Sequence, residues 1–294
     1  MKIAILSRNS DLYSTKRLVE AAESRGYTTQ VINHLKCNIE IDSTGPRLFY
    51  NNYYLEDFDA VIPRIGASVT YYGTAVTRQF EMMHVFSVAN SRSIVHSRDR
   101  LRCLQLLSKS KVGQPKTVFT NYSKNVEHVI ESVGGTPVVL KLLRESDDIS
   151  SILAEDKSSA DSVLEAFNGV KARVIVQEYI KEAKGTDVRM MVVDGEVVGA
   201  IKRFNKDRDF QTNISKRKKS IPIVLTEEEK EIAIRAAFAL KLGVAGIDII
   251  QSKRGPLVLN VNSSPGLKEI ESVTKLDIAG KIIDYIEKNT IHKV

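Results

Sequence analysis

The chain has no tryptophan and only two cysteines in 294 residues. Cys37 and Cys103 show neither paired metal-ligand spacing nor a disulfide framework, which leaves them as buried thiols, Cys103 on the apolar side of a helix with Leu106 and Leu107. No apolar run approaches the roughly 18 residues of a membrane span. The apolar part of the amino terminus, "MKIAILSRNS", is too short for a secretory signal, so a cytoplasmic protein with no membrane partner is expected. Internal repeats, low-complexity tracts and flexible linkers are also missing, so lobe boundaries rest on changes of pattern alone. What remains is an ordinary globular mixture, 43% hydrophobic and 27% charged, long enough for two or three packed lobes. The formal charge of +7 and pI near 9.2 favour acidic or polyanionic partners.

Two changes of pattern divide the chain into three. Residues 1–95 alternate strand and helix: an apolar strand at 2–7, a helix over "STKRLVEAAESRGY" with Ser14 as cap and Gly26 as stop, strands at "TTQVINH" and "FDAVIPRIG", then a helix and the short strand "VFSVAN". Residues 96–186 continue with a helix over "SRDRLRCLQLLSKSK", the strand "KTVFT", a helix over "SKNVEHVIESVGG", the strand "PVVLKLL", a polar segment, the helix "SSADSVLEAFNG" and the strand "RVIVQEYI". From residue 187 to 294 the pattern turns antiparallel: "VRMMVVDGEVVGAIKRF" is a hairpin about Asp194-Gly195, a dipeptide suited to a type I′ turn. A polar, basic stretch follows. Thr226 and Glu229 then match a capping box, and a second hairpin, "AGIDIIQSKRGPLVLNVN", precedes an amphipathic closing helix.

That second hairpin carries the most chemistry. Strand side chains repeat with period two, so Asn260 and Asn262 in "LNVNSSPG" share the face of Asp248 on the neighbouring strand. Two adjacent strands thus aim three oxygen ligands at one point, which suits magnesium beside nucleotide phosphates. Hydrogen-bonded asparagines on a solvated strand face are the plainer alternative.

The run "DII" through "LVLNVNSSPG" resembles the metal hairpin of the ATP-grasp superfamily. "MKIAILSR", "FDAVIPRIG", "YGTA", "RQFEM", "VQEYIKEAKGTDVR", "EIAI", "RGPLV" and "DIAGK" are similar, in order, to the RimK family, ligases that add glutamate to the carboxyl terminus of a ribosomal protein. The resemblance spans the whole chain and implies an α/β ATP-grasp fold: a pre-ATP-grasp domain over 1–95, a central lobe over 96–186 and a carboxy-terminal lobe over 187–294, with ATP or ADP between the last two. It assigns Arg100 and Lys141 to the phosphates, backbone groups near Glu178 and Tyr179 to the adenine, and Asp187 to the ribose. Arg203 and Asn213 approach the reacting groups, Asp248, Asn260 and Asn262 hold Mg2+ or Mn2+, and Arg64 and Arg189 bind substrate carboxylates. The implied partners are an acidic peptide or ribosomal protein tail and further copies of the chain, commonly as a tetramer. The basic run Lys216, Arg217, Lys218 and Lys219 fits such a tail, nucleic acid, the ribosome or a solvated loop.

The chain departs from that pattern at the phosphate end. The family's glycine-rich loop reads "RESDDIS" here, residues 144–150; a later glycine pair reads "ISKRKKS"; the family's phosphate-facing lysine is Arg100; and its bridging glutamate ligand is Asn260. A divalent ion and a carboxylate about 4 Å apart attract by roughly 8 kcal/mol at an effective dielectric near 20, and an amide recovers only part of that. Weak metal binding is therefore expected. Two functions stay open: a ligase working through an acylphosphate, and a catalytically impaired relative that binds nucleotide, a ribosomal component or an active paralogue.

Overall fold

The computed structural model describes residues 1–43, 45–120, 126–143, 151–169, 173–183, 185–205 and 217–290. The first lobe comprises β1 (Lys2–Leu6), α1 (Tyr13–Glu23), β2 (Thr28–Ile32), β3 (Cys37–Glu40), β4 (Arg47–Tyr50), β5 (Tyr53–Tyr54), β6 (Ala60–Pro63), α2 (Thr70–Met82), β7 (Phe86–Ser87) and α3 (Ser91–Arg98). Its parallel sheet has the order β2-β1-β6-β7. Ile3 to Leu6 and Ala60 to Pro63 are buried throughout, as parallel strands covered on both faces should be. The meander β3-β4-β5 was not foreseen, because strands of four and two residues leave too little alternation to recognise. Tyr72 Oη pins it to α2 by donating to the Cys37 carbonyl at 2.7 Å.

Two expected helix starts differ. Ser14 lies inside α1, where Leu12 takes the cap position, and the Ser14 hydroxyl instead accepts the Leu267 N–H at 3.0 Å. The single helix expected from residue 97 is two: α3 stops at Asp99, whose carboxylate accepts the Arg102 N–H at 2.9 Å and so starts α4 (Arg100–Lys109). Aspartate competes with helical hydrogen bonding in this way, which is why it favours caps over helix interiors. The break leaves Arg100 at the first turn of a new helix.

The central lobe follows with β8 (Thr117–Thr120), α5 (Val126–Ser132), β9 (Val138–Leu143), β10 (Ser151–Ala154), α6 (Lys157–Gly169) and β11 (Arg173–Glu178). Its sheet, β10-β9-β11-β8, is antiparallel, and β10 falls within the segment read only as polar. This lobe has its own core, from Val129 and Ile130 on α5 to Val174 and Val176 on β11.

The carboxy-terminal lobe comprises β12 (Thr186–Val193), β13 (Glu196–Asn205), β14 (Arg217–Pro222), α7 (Glu227–Ala239), β15 (Val244–Ser252), β16 (Gly255–Asn262), α8 (Lys268–Thr274) and α9 (Ile278–Thr290). The antiparallel order is β14-β13-β12-β15-β16. Asp194 and Gly195 turn the first hairpin with φ of 50° and 77°, the positive pair a type I′ turn requires. The basic stretch before Thr226 ends in edge strand β14, where Lys219 pairs with Phe204; a charged edge resists pairing with other chains. Lys216 lies outside the described residues, as do Asn213 and the segment 144–150.

α7 buries Ile232, Ala233, Ala236 and Ala237 in a core that also takes in Met190 and Ile247 of the sheet and Leu6, Val76 and Phe80 of the first lobe. The first and last lobes therefore share one apolar interior. Its cap is the expected box: Thr226 Oγ1 accepts the Glu229 N–H at 3.2 Å and Glu229 Oε2 accepts the Thr226 N–H at 2.8 Å. Thr226→Ala is expected to destabilise the fold by about 1 kcal/mol, read as a lower denaturation midpoint in urea with an unchanged slope.

Candidate active site

The polar face of the carboxy-terminal sheet follows from its register. Arg203 on β13 sits opposite Asp187 on β12; Arg189, two residues on, sits opposite Asp248 on β15; and Asp248 sits opposite Asn260 on β16. Period-two alternation puts all of these side chains, with Asn262, on one face. A bulge between Asp248 and Ile249 leaves Leu259 as the extra residue of β16. Gly246, opposite Asn262, lets Pro265 lie against the strand, since a Cβ there would fall 2.8 Å from the proline ring.

Charges on this face are tightly paired. Arg189 grips Asp248 bidentately, Nε to Oδ1 and Nη2 to Oδ2, both at 2.8 Å. Arg203, only 1% exposed, donates through Nη2 to Asp248 Oδ1 at 2.8 Å and through Nε to Asp187 Oδ2 at 2.7 Å, with Nη2 also bonded to Asp187. Burial works against the charge of Arg189, but Asp248 outweighs it and holds the guanidinium protonated more firmly than usual. Arg203 Nη1 is buried without a hydrogen-bond partner among the described residues.

Two cations approach from outside the sheet. Arg100, at the start of α4, donates through Nη1 to Asn260 Oδ1 at 3.1 Å and through Nη2 to the Leu259 carbonyl at the bulge. Burial lowers its pKa. Lys141, on β9, donates to Gln177 Oε1 at 2.6 Å. Burial, then the nearby Arg100 charge, lowers the Lys141 ammonium to about 7. Lys141 and Arg100 are thus electrostatic neighbours, which brings the central sheet to the Arg100 end of that polar face. Arg189 and Arg203 converge on Asp248, Arg203 holds Asp187 as well, Arg100 lies within electrostatic reach of Asp248, and Glu269, held by Ser220 Oγ at 2.7 Å, lies near Arg189.

Asp248 and Asn260 lie side by side, with Asn262 further along the same face, but each of the oxygens expected to bind a metal is engaged. A carboxylate offers about four acceptor positions. Asp248 fills three with guanidinium N–H groups, and the Asn260 amide nitrogen lies 3.5 Å from its Oδ2. Asn260 Oδ1 takes Arg100, and Asn262 Oδ1 takes the Ser264 N–H at 2.9 Å. Among the described residues, no group of three or more His, Cys, Asp or Glu is placed to hold a metal. As arranged, these three residues offer no free oxygen set that fits a divalent ion.

Of the other expected residues, Glu178 ends β11 with its side chain committed: Arg254 Nη1 donates to Oε1 at 2.8 Å, the Lys116 N–H to Oε2 at 3.0 Å. The Arg254 bond lowers the Glu178 pKa. Its backbone and that of Tyr179 follow directly on this strand. Arg64 lies in the first lobe, after β6. Sequence reasoning missed Gln177, Arg98 and Arg254; only Arg254 carried a signal, as one of the two charged residues, with Lys253, in the turn that joins β15 to β16.

Two antiparallel sheets, joined where Lys141 of one neighbours Arg100 at the polar face of the other, together with a parallel α/β lobe, are the architecture of an ATP-grasp protein. Residues 1–94 match the RimK PreATP-grasp domain and residues 97–286 the RimK-like ATP-grasp domain. A protein of Aliivibrio salmonicida named probable alpha-L-glutamate ligase is 50% identical over 293 residues, covering 100% of this chain and 97% of that one. Among solved structures, the ATP-grasp ligase PsnB complexed with minimal precursor, Mg and ADP is similar with a TM-score of 0.75 at 19% identity, covering 99% of this chain and 98% of that one. The macrocyclase MdnC bound with precursor peptide MdnA, from Microcystis aeruginosa, gives 0.75 at 16%, covering 98% and 100%. The chain belongs to the RimK-like ATP-grasp family.

Lys141 supplies a pH signature. At pH 8 it is mostly neutral, and a phosphate beside it favours the charged form, so ADP binding should take up close to one proton at pH 8 and almost none at pH 6. Calorimetry in buffers of different ionisation enthalpy reads this uptake, and Lys141→Arg should abolish it.

Proposed function

We propose that the protein is an ATP-dependent carboxylate–amine ligase that adds glutamate to the carboxyl terminus of a ribosomal protein or another acidic peptide. One observation carries the reading: Lys141 and Arg100 meet at the edge of a face that also holds Arg189 and Arg203, with Arg203 Nη1 buried and without a hydrogen-bond partner among the described residues. Such a cluster is built to receive a polyanion. The kinship supports it, since a relative at 50% identity is named a probable glutamate ligase and neighbours of the same fold hold ADP or a precursor peptide.

In this reading the adenine meets the backbone near Glu178 and Tyr179, Asp187 takes the ribose while holding Arg203, and Lys141 and Arg100 hold the phosphates. An acceptor carboxylate oxygen attacks the terminal phosphorus and ADP leaves, forming an acylphosphate. The glutamate amine then attacks the acyl carbon; phosphate departs, the amine loses a proton to solvent, and an amide remains. Arg203 and Arg189 offset the charge that builds during transfer, and Asn213, outside the described residues, is assigned to the same step. A divalent ion is bound weakly, because Asp248 must first release guanidinium N–H groups. Arg217, Lys218 and Lys219 on the edge strand, with Lys216, attract the acidic tail, nucleic acid or the ribosome, and the assembly is a homo-oligomer.

The test is turnover. Incubated with ATP, magnesium, glutamate and peptides with acidic tails, the protein should release phosphate while one peptide gains mass in steps of a single glutamyl residue. Arg203→Lys should reduce phosphate release at least tenfold, since a lysine cannot span both aspartates with a fork. Absence of phosphate release with every peptide would sink the ligase reading.

A further inference from the structure

The central sheet carries a polar row whose last member has no partner. Val138 and Leu140 of β9, Ile152 and Ala154 of β10, Val174 and Val176 of β11 and Val118 of β8 belong to the core that holds α5 and α6. Period-two alternation therefore turns Thr117, Gln177, Lys141 and Ser151 to the opposite face, where Lys141 meets the charge of Arg100. The row is wired in one direction. Thr117 Oγ1 donates to the Pro115 carbonyl at 2.8 Å, so it accepts from Gln177 Nε2 at 2.9 Å. That fixes the amide of Gln177, only 2% exposed, with Oε1 toward Lys141, whose ammonium donates to it at 2.6 Å.

An ammonium has three donors, and Gln177 takes one. No carboxylate pairs with Lys141 among the described residues, and both influences on it, burial and the Arg100 charge, oppose the cation. Ser151 stands beside it. The two residues face each other in the register of β9 and β10, where opposed Cβ atoms lie about 5 Å apart. Ser151 is 7% exposed, and its Oγ is buried with no hydrogen-bond partner among the described residues. A hydroxyl kept from water without a partner is costly, and so is a buried ammonium without an anion. One anion seated between them meets both needs. The register also says which part of a nucleotide that is. Gln177, Val139 and Leu153 form one rung beside Glu178, and Lys141 and Ser151 lie one rung, about 7 Å, further from that end. A nucleotide whose base meets the backbone at Glu178 thus carries its phosphates toward Lys141 and Ser151.

We propose that Ser151 is a second donor to the phosphate held by Lys141, its hydroxyl donating to a phosphate oxygen while the chain from Thr117 through Gln177 keeps the ammonium in place. The inference rests on the nucleotide reading above for the identity of the anion. Calorimetric titration of the full chain with ADP, and separately with adenosine, compares the parent protein with Ser151→Ala. Affinity for ADP should fall about tenfold or more, as loss of a hydrogen bond to a charged group does. Adenosine, which offers no phosphate, should behave alike in both proteins. Because the substitution removes an unpaired buried hydroxyl, the ligand-free variant should unfold in urea at a midpoint equal to or above that of the parent. Equal ADP affinities in parent and variant, an equal loss for adenosine, or a lowered midpoint would overturn the assignment of Ser151 and leave the ligase reading standing. A parent protein that binds no ADP would refute the nucleotide reading, and the role of Ser151 with it.

Discussion

The site depends on one buried guanidinium. Arg203 lies between Asp187 and Asp248 with 1% of its surface exposed and pairs with both of these buried carboxylates. Breaking such a pair by deleting one member costs about 3–5 kcal/mol, because the charge left behind has lost its water. Arg189 then fixes Asp248 from the other side, and the bulge at Leu259 presents a carbonyl and an amide to Arg100. The cleft is thus organised before any ligand arrives. Preorganised cations of this kind stabilise transferring phosphoryl charge at little reorganisation cost.

This arrangement gives a physical sense to Asn260. A second carboxylate there would face Arg100 and Asp248 together and tip the cluster toward binding a metal; the amide instead accepts from Arg100 and faces Asp248 with its nitrogen. In the proposed ligase, part of the charge a divalent ion would bring to the phosphates comes from Arg100, Arg189 and Arg203. Because the first lobe shares its apolar interior with the carboxy-terminal lobe, the two are held in a common frame.

Much of the fold was legible in the sequence. Asp194-Gly195, the Thr226 and Glu229 box and the alternation in "LNVNSSPG" each specify local geometry, and each is present. The register that sets Asp248 beside Asn260 followed from period two. The short strands β3 to β5 and β10 were missed because they draw their stability from neighbours, and the break at Asp99 was hidden in a run of good helix formers. The ion pairing was not legible at all. Sequence placed Asp187, Arg189, Arg203 and Asp248 in the site, but only the register shows that the arginines spend their donors on the aspartates.

The most direct measurement is the affinity for ADP in magnesium and in EDTA, compared between the parent protein and Asn260→Glu. The account predicts nearly equal dissociation constants for the parent protein in the two conditions, and a clear magnesium dependence once the second carboxylate is present. A parent protein that loses ADP in EDTA, with affinity restored by magnesium, would contradict it.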